Sequence, residues 1–389
     1  MNLAFCYESV LPFRGGCETY IADLARRLVA DRHEVHLYAG QWDAERLPSS
    51  MHFHAMEIGG GPRFLRPWRF GKACLEALQK GSHDVSIGFD KTWGQDVLYP
   101  QGGLHAASAD YNIRKQGGRV LRGLAWFIKQ FDLAHRSYTR LEKRQYLAEP
   151  RPLVVVNSDL VRHHFQHYLG YSATDLRVVR SAIDPDRFLE ADRPRRRVEA
   201  RQNWGIDPEE NVALFAAMNY RLKGLEPLLH AVAHIQAGRR FRLLVVGNPR
   251  VEGYRRLARK LGIANRVCFA GHCADMRDAY FAADFLVHPT FYDPCSLVVL
   301  EALACGLPVI TTLANGASEL MHPPDEGYVV SDPHDHKRLG WCMTQLFDPV
   351  RRSACARAAR QTGGQWGFEQ HYEQLMQVFT EAARRKRAA

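Results

Sequence analysis

Short apolar runs alternate with helical patterns twice along this chain, and no other sequence feature restricts the fold as much. Residues 3–7, 34–39, 84–89, 97–99 and 153–157 are compact runs of aliphatic and aromatic residues, separated by stretches such as 19–30 with helical spacing. A second series follows. It places strands at 212–217, 242–246, 267–270, 285–288 and 309–312, and helices near 225–236, 254–261, 274–282 and 297–304. Such alternation predicts α/β structure with parallel sheets, because parallel neighbours need a crossover connection. Two Rossmann-like, doubly wound domains in tandem are expected, and 389 residues, 46% of them hydrophobic, can fill both cores. The boundary is expected within the polar, proline-bearing, aperiodic stretch 181–197. That divides the chain into 1–185 and 186–364, with a terminal helix in 365–389.

Residues 291–310, FYDPCSLVVLEALACGLPVI, carry the densest chemical information. Asp293 is expected on a loop and Glu301 in a helix that Ser296 caps, the apolar run 297–303 buries, and Gly306 with Pro308 ends. The free N–H groups at such a helix start, near Ser296, Leu297 and Val298, suit a diphosphate. Glu301, a turn or more along, would repel phosphates but can accept hydrogen bonds from ribose hydroxyls. A second segment, NYRLKG at 219–224, follows a strand. The planar fork of Arg221 and the point charge of Lys223 suit a diphosphate leaving with negative charge.

The acidic-x7-acidic block ending in EALACGLPVI resembles the retaining glycosyltransferases of family 4, and the basic pair before KG matches the same family. The resemblance spans nearly the whole chain. It implies the GT-B fold, two Rossmann-like domains facing a cleft, with the acceptor on the first, a nucleotide sugar on the second, and the terminal helix crossing back to the first. It also implies hexose transfer with retention, in which Arg221, Lys223 and the helix N–H groups stabilise the departing diphosphate and that phosphate takes the acceptor proton. The loop PFRGGCE, 12–18, is similar to the family's glycine loop, with Gly15 and Gly16 beside the donor phosphates. His105 falls where many members carry a histidine contacting the donor sugar in the transition state. Asp293 replaces the family's usual glutamate and is one methylene shorter, which bears on the choice of donor. The opening MNLAFCYESVLPFRGG, the phrase IGFDKTWGQDVLY and a basic stretch at 111–150 resemble the branch that glucosylates inner-core heptose of lipopolysaccharide. That branch implies UDP-glucose as donor substrate and a glycolipid or glycan acceptor.

Rival readings rest on particular residues. Asp293 and Glu301 could be a glycosidase pair, but hydrolases flank the scissile bond with both groups, and the nearby cations point to a nucleotide. A dinucleotide oxidoreductase lacks its third glycine and the acid after the second strand. A non-hydrolysing UDP-sugar epimerase of the same plan, or a degenerate nucleotide-sugar-binding protein, stays open. His163 and His167 could share a helix face as metal ligands, yet no third ligand has motif spacing, so no metal and no cofactor is expected. The nine scattered cysteines, with no CxxC pair, are expected as reduced core thiols.

Within 111–150, nine Lys/Arg stand against three acids and are interleaved with Trp126, Phe127 and several leucines. A helix lying on an anionic leaflet would look like this, and so would a basic helix packed on its own domain. No nucleic-acid motif accompanies the net charge of +10. The expected location is cytoplasmic, peripheral on the inner membrane face, with neither a secretory leader nor a spanning segment. Oligomeric state is not legible.

Overall fold

The computed structural model describes every residue except 13, 14, 117, 190, 237, 366 and 389. It divides into two compact units, residues 1–180 with 371–389, and residues 181–370.

In the first unit, β1 (Asn2–Cys6), β3 (Glu34–Ala39), β5 (His52–Ala55), β6 (Val85–Phe89), β7 (Val97–Tyr99), β8 (Leu153–Val156) and β9 (Leu176–Val178) form one sheet. Their order is β5-β3-β1-β6-β7-β8-β9, and every pairing is parallel. A small parallel pair, β2 (Ser9–Val10) and β4 (Gln41–Trp42), stands beside it. The central strands β6 and β8 are buried at every position, which is why they read as unbroken apolar runs. The terminal helix Phe368–Ala388 contributes His371 onward to this unit. Arg180 O accepts from His371 Nδ1 at 2.7 Å, so His371 Nε2, 2.8 Å from Tyr20 Oη, accepts from that hydroxyl. Burial drives the His371 pKa down to about 4, consistent with this neutral tautomer.

In the second unit, β10 (Asn211–Ala217), β11 (Phe241–Gly247), β12 (Val267–Gly271), β13 (Phe285–His288), β14 (Val309–Thr312) and β15 (Gly327–Val330) form a parallel sheet in the order β12-β11-β10-β13-β14-β15.

The stretch 181–197 is not a plain linker. It holds the short helical turn Pro185–Phe188, and the helix Arg193–Asn203 starts inside it. The arginines of this stretch and of the helix that leaves it have partners far along the chain. Arg196 reaches Asp275 and Asp278, and Arg197 and Arg201 both reach Asp284. Glu190 of this stretch and Trp366 of the terminal one lie outside the described residues. Strands β2, β4, β5, β9 and β15 are not marked in the sequence; β5, HFHA, has no buried residue and so no apolar run. All nine cysteines are free thiols, six of them buried.

Candidate functional site

The loop after β10 and the loop after β13 sit side by side, because their strands are hydrogen-bonded neighbours. Ligands of such sheets bind at the carboxyl ends of the strands. Four contacts weld the loops together, one of them Thr290 Oγ1 donating to Leu222 O at 3.2 Å. Phe291 N donates to Leu222 O at 2.9 Å, Lys223 Nζ reaches Tyr292 O at 3.3 Å, and Lys223 Nζ lies 2.5 Å from Asp293 Oδ2. Gly224 permits this approach: its φ is +83°, and a Cβ there would fall 2.1 Å from Pro289 O.

Asp293 is 8% exposed. Burial alone would raise its pKa, but Lys223 and His288 hold the carboxyl below the ordinary carboxylate range. His288 Nε2 stands 3.4 Å from Asp293 Oδ2. Burial lowers the His288 pKa, and its Nδ1 has no partner among the described residues. Arg221 differs from Lys223. It is exposed, and its guanidinium makes no hydrogen bond or ion pair among the described residues.

The helix Leu297–Ala304 begins next to Asp293, with extended backbone at Ser296. Ser296 does not cap it with its side chain, contrary to expectation. Asn315 instead holds the turn. Its Oδ1 accepts from Ser296 N at 3.2 Å and from Ala317 N at 3.1 Å, while its Nδ2 donates to Thr311 Oγ1 at 3.0 Å. The Val299 and Leu300 N–H groups return to Ser296 O. Leu297 and Val298 are half-buried at the mouth of the turn, and Glu301 follows on the same helix, accepting from the buried Tyr280 hydroxyl. Lys223, held by Asp293, thus stands next to this helix start, and Arg221 lies exposed two residues before Lys223 on the same loop.

In the first unit, Gly15 precedes the helix Gly16–Ala30, and its φ of −174° is open to any residue. The close approach is internal, since a Cβ at Gly15 would lie 2.8 Å from Glu18 Oε2. A carboxylate therefore already sits at the helix start assigned to donor phosphate. Phe13 and Arg14 of this loop lie outside the described residues.

His105 is the first residue of the helix His105–Arg114 rather than a loop residue. Its Nε2 is 2.9 Å from His135 Nδ1, and burial followed by repulsion from His135 lowers its pKa to about 4, so the ring is neutral near pH 7. Its main-chain N–H donates to Glu142, whose carboxyl burial pushes up to about 7. His105 and Glu142 line a cavity of about 260 Å³ with Asp90, Lys91, Tyr138 and Gln145. Sequence reasoning passed over Asp90 and Glu142. Asp90 has φ +55°, uncommon for a residue with a side chain, and its carboxylate accepts from Gly102 N at 2.8 Å. The signal that could have found it is the charged pair Asp90-Lys91, placed directly after the apolar strand β6.

The basic stretch places the helix Arg119–Gln130 on the surface with no residue buried. Val120 is 85% exposed, and Leu121, Leu124, Phe127, Ile128 and Phe131 are all more than half exposed. Helical periodicity gathers Val120, Leu124, Phe127, Ile128 and Phe131 on one face. Trp126 falls on the opposite side with Arg119, Arg122 and Lys129. Two of those cations are tied to main chain, Arg122 to Gln116 O at 2.9 Å and Lys129 to Ala109 O at 3.1 Å. No helix among the described residues is long and apolar enough to cross a membrane.

The family model for group 1 glycosyl transferases matches residues 196–362, which span the cation pair and the Asp293 helix, and the family 4 glycosyltransferase model matches residues 14–94. The chain belongs to the group 1/family 4 glycosyltransferases. This transferase is 24% identical over 363 residues to the lipopolysaccharide glucosyltransferase WaaG of Escherichia coli K12, covering 92% of this chain and 93% of that protein. It is 30% identical over 267 residues to a D-inositol 3-phosphate glycosyltransferase of Rhodococcus erythropolis, covering 66% of this chain and 59% of that one. Among solved structures, WaaG superposes with a TM-score of 0.81 at 22% identity, over 97% of this chain and 99% of that chain. Anabaena Alr3699/HepE in complex with UDP-glucose superposes with a TM-score of 0.71 at 19% identity, over 98% and 100%. The transferase therefore has the GT-B fold of two Rossmann-like domains.

Proposed function

We propose that this transferase moves glucose from UDP-glucose, with retention, onto a lipopolysaccharide core or related glycolipid. The observation that carries the reading is Lys223, held by Asp293 next to the helix start at Leu297, with the exposed Arg221 on the same loop. WaaG is named for lipopolysaccharide and HepE was crystallised with UDP-glucose, which supports the choice of acceptor and donor. In this reading Arg221, Lys223 and the helix N–H groups stabilise the leaving diphosphate, so the chemistry requires no metal. His105, neutral near pH 7, contacts the transferred sugar, and Gly15 and Gly16 lie beside the donor phosphates and acceptor. Incubation with a panel of UDP-hexoses, with and without lipopolysaccharide acceptor, tests the assignment. Acceptor-dependent transfer from UDP-glucose is expected. Isomerisation without acceptor would indicate an epimerase, and binding without turnover a degenerate protein.

Glu301 supplies a narrower test. In this reading it accepts from the ribose hydroxyls while Tyr280 steadies it. Glu301→Ala should weaken UDP binding by about 1.5–3 kcal/mol, the worth of a hydrogen bond to a charged group. Titration calorimetry with UDP alone measures this, and an unchanged affinity would leave Glu301 as only the partner of Tyr280.

We further propose that the helix Arg119–Gln130 lies on the membrane face where such an acceptor is presented. Its apolar side would insert, at about 1.5–3 kcal/mol for each fully buried side chain, with Arg119 adding attraction to anionic lipid. Co-sedimentation with anionic vesicles should be strong in the wild type and largely lost in Leu124→Ser/Phe127→Ser. Trp126→Ser, on the other side, should have the smaller effect. Equal sedimentation of wild type and double variant would assign this face another partner.

A further inference from the structure

The amino ends of β1, β3 and β5 hold a cluster of side chains that the transfer reaction does not use. Parallel pairing sets Glu34 opposite Asn2, His36 opposite His52, and Tyr38 opposite His54. Residues 34, 36 and 38 share one face of β3, so these side chains gather in one place. Glu34 Oε1 stands 3.1 Å from His36 Nε2 and 3.5 Å from His52 Nε2. One ligand atom from each of the three lies within 4.8 Å of the others. Tetrahedral ligands about 2.0–2.1 Å from a zinc ion are about 3.3 Å apart. The two measured separations bracket that value.

We propose that Glu34, His36 and His52 bind a divalent ion of the zinc, cobalt or nickel class, joining the edge strand β5 to β3. Two imidazole nitrogens with one carboxylate oxygen favour these ions over calcium or magnesium, which take oxygen sets. The neighbours of Glu34 and His36 hold these two ligands in orientation. His36 Nδ1 is 2.9 Å from His54 Nε2, so donation to that nitrogen leaves His36 Nε2 bare for an ion. Asn2 Nδ2 donates to Glu34 Oε2 at 3.3 Å, leaving Oε1 to face the two imidazoles. Asn2 Oδ1 can only accept, so His83 Nδ1, 2.7 Å away, carries hydrogen, and His83 Nε2 accepts from Tyr38 at 2.8 Å. His52 is exposed and can swing to complete the set.

The placement argues for stabilisation rather than catalysis. Ligands that take part in chemistry on parallel sheets sit at the carboxyl ends of the strands, and this cluster is at the opposite ends. An ion bound only by the folded chain raises its melting temperature. The proposal stands independently of donor and acceptor identity.

Untagged protein, stripped with chelator and dialysed against zinc, tests it by metal analysis and thermal melting. One ion per chain and a raised melting temperature are expected. His52→Ala, an exposed change that the fold tolerates, and His36→Ala/His52→Ala should each abolish both. His54→Ala should weaken binding about 10–100-fold by freeing the His36 ring. His163→Gln/His167→Gln should leave both readouts unchanged, which controls for the other histidines. Absence of bound zinc in the wild type, or zinc retained at the same stoichiometry in His52→Ala, would overturn the site.

Discussion

Arg221→Ala and Lys223→Ala are expected to lose comparable turnover but to differ sharply in stability. Removing one preorganised donor to developing charge costs about 2.7–4 kcal/mol in the transition state, or roughly 100- to 1,000-fold in kcat. Arg221 is exposed with its guanidinium free, so its loss should leave the denaturation midpoint unchanged. Lys223 is bonded to Asp293, whose carboxylate is buried. Truncating it strands that charge, at a cost of about 3–5 kcal/mol. The pH dependence follows from the sign of the shift. Wild-type Asp293 is held below its ordinary range, so its contribution is present above about pH 3.9 and fades as pH falls toward the depressed value. Without Lys223, burial favours the protonated acid. The stability gap between Lys223→Ala and wild type should therefore be wide at neutral pH and narrow in acid. Urea denaturation at the two pH values, with turnover at saturating donor, measures both. Equal midpoints for the two variants would mean that the ion pair carries no weight, and near-normal turnover would remove both cations from the mechanism.

Gly224→Ala is expected to lower stability and turnover together. The residue needs φ +83°, a conformation costing an L-residue about 1–2 kcal/mol. The added Cβ would meet Pro289 O at 2.1 Å, and the neighbour is main chain rather than a flexible side-chain end. Overpacking of that kind costs about 1–3 kcal/mol more. The two loops would have to part, moving Lys223 away from Asp293. Both denaturant midpoint and kcat should fall, whereas Gly253→Ala, with open space around it and no positive φ, should change neither. A Gly224→Ala enzyme with wild-type turnover would show that the geometry of the loop does not matter to the reaction.

Much of this site was legible along the chain because its parts are local. The lysine–glycine pair follows a strand end, Asp293 and Glu301 sit eight positions apart around one helix, and apolar periodicity marks the strands that carry both loops. Such features depend on chain geometry within a few residues, so the order of residues suffices to state them. The partners of those residues are another matter. Asn315, not Ser296, fixes the helix start, and Glu18 fills the space beside Gly15. His105 leans on His135 and Glu142, from 30 and 37 positions away. The arginines expected in a linker answer Asp275, Asp278 and Asp284. In the amphipathic helix, spacing alone separates Phe127 from Trp126, but only packing shows that Arg122 and Lys129 are tied inward and that the apolar face stays more than half exposed.

Composition, alternation and motif spacing by themselves determined the α/β class, the two sheets and the chemistry of the second unit's loops. Each is a short-range property set by backbone periodicity and residue type. Tertiary structure alone decided which charges are paired, which helix start is open to an anion, and that Glu34, His36 and His52 converge. Those outcomes depend on strand order and register, which bring residues distant in sequence within a few ångströms of each other.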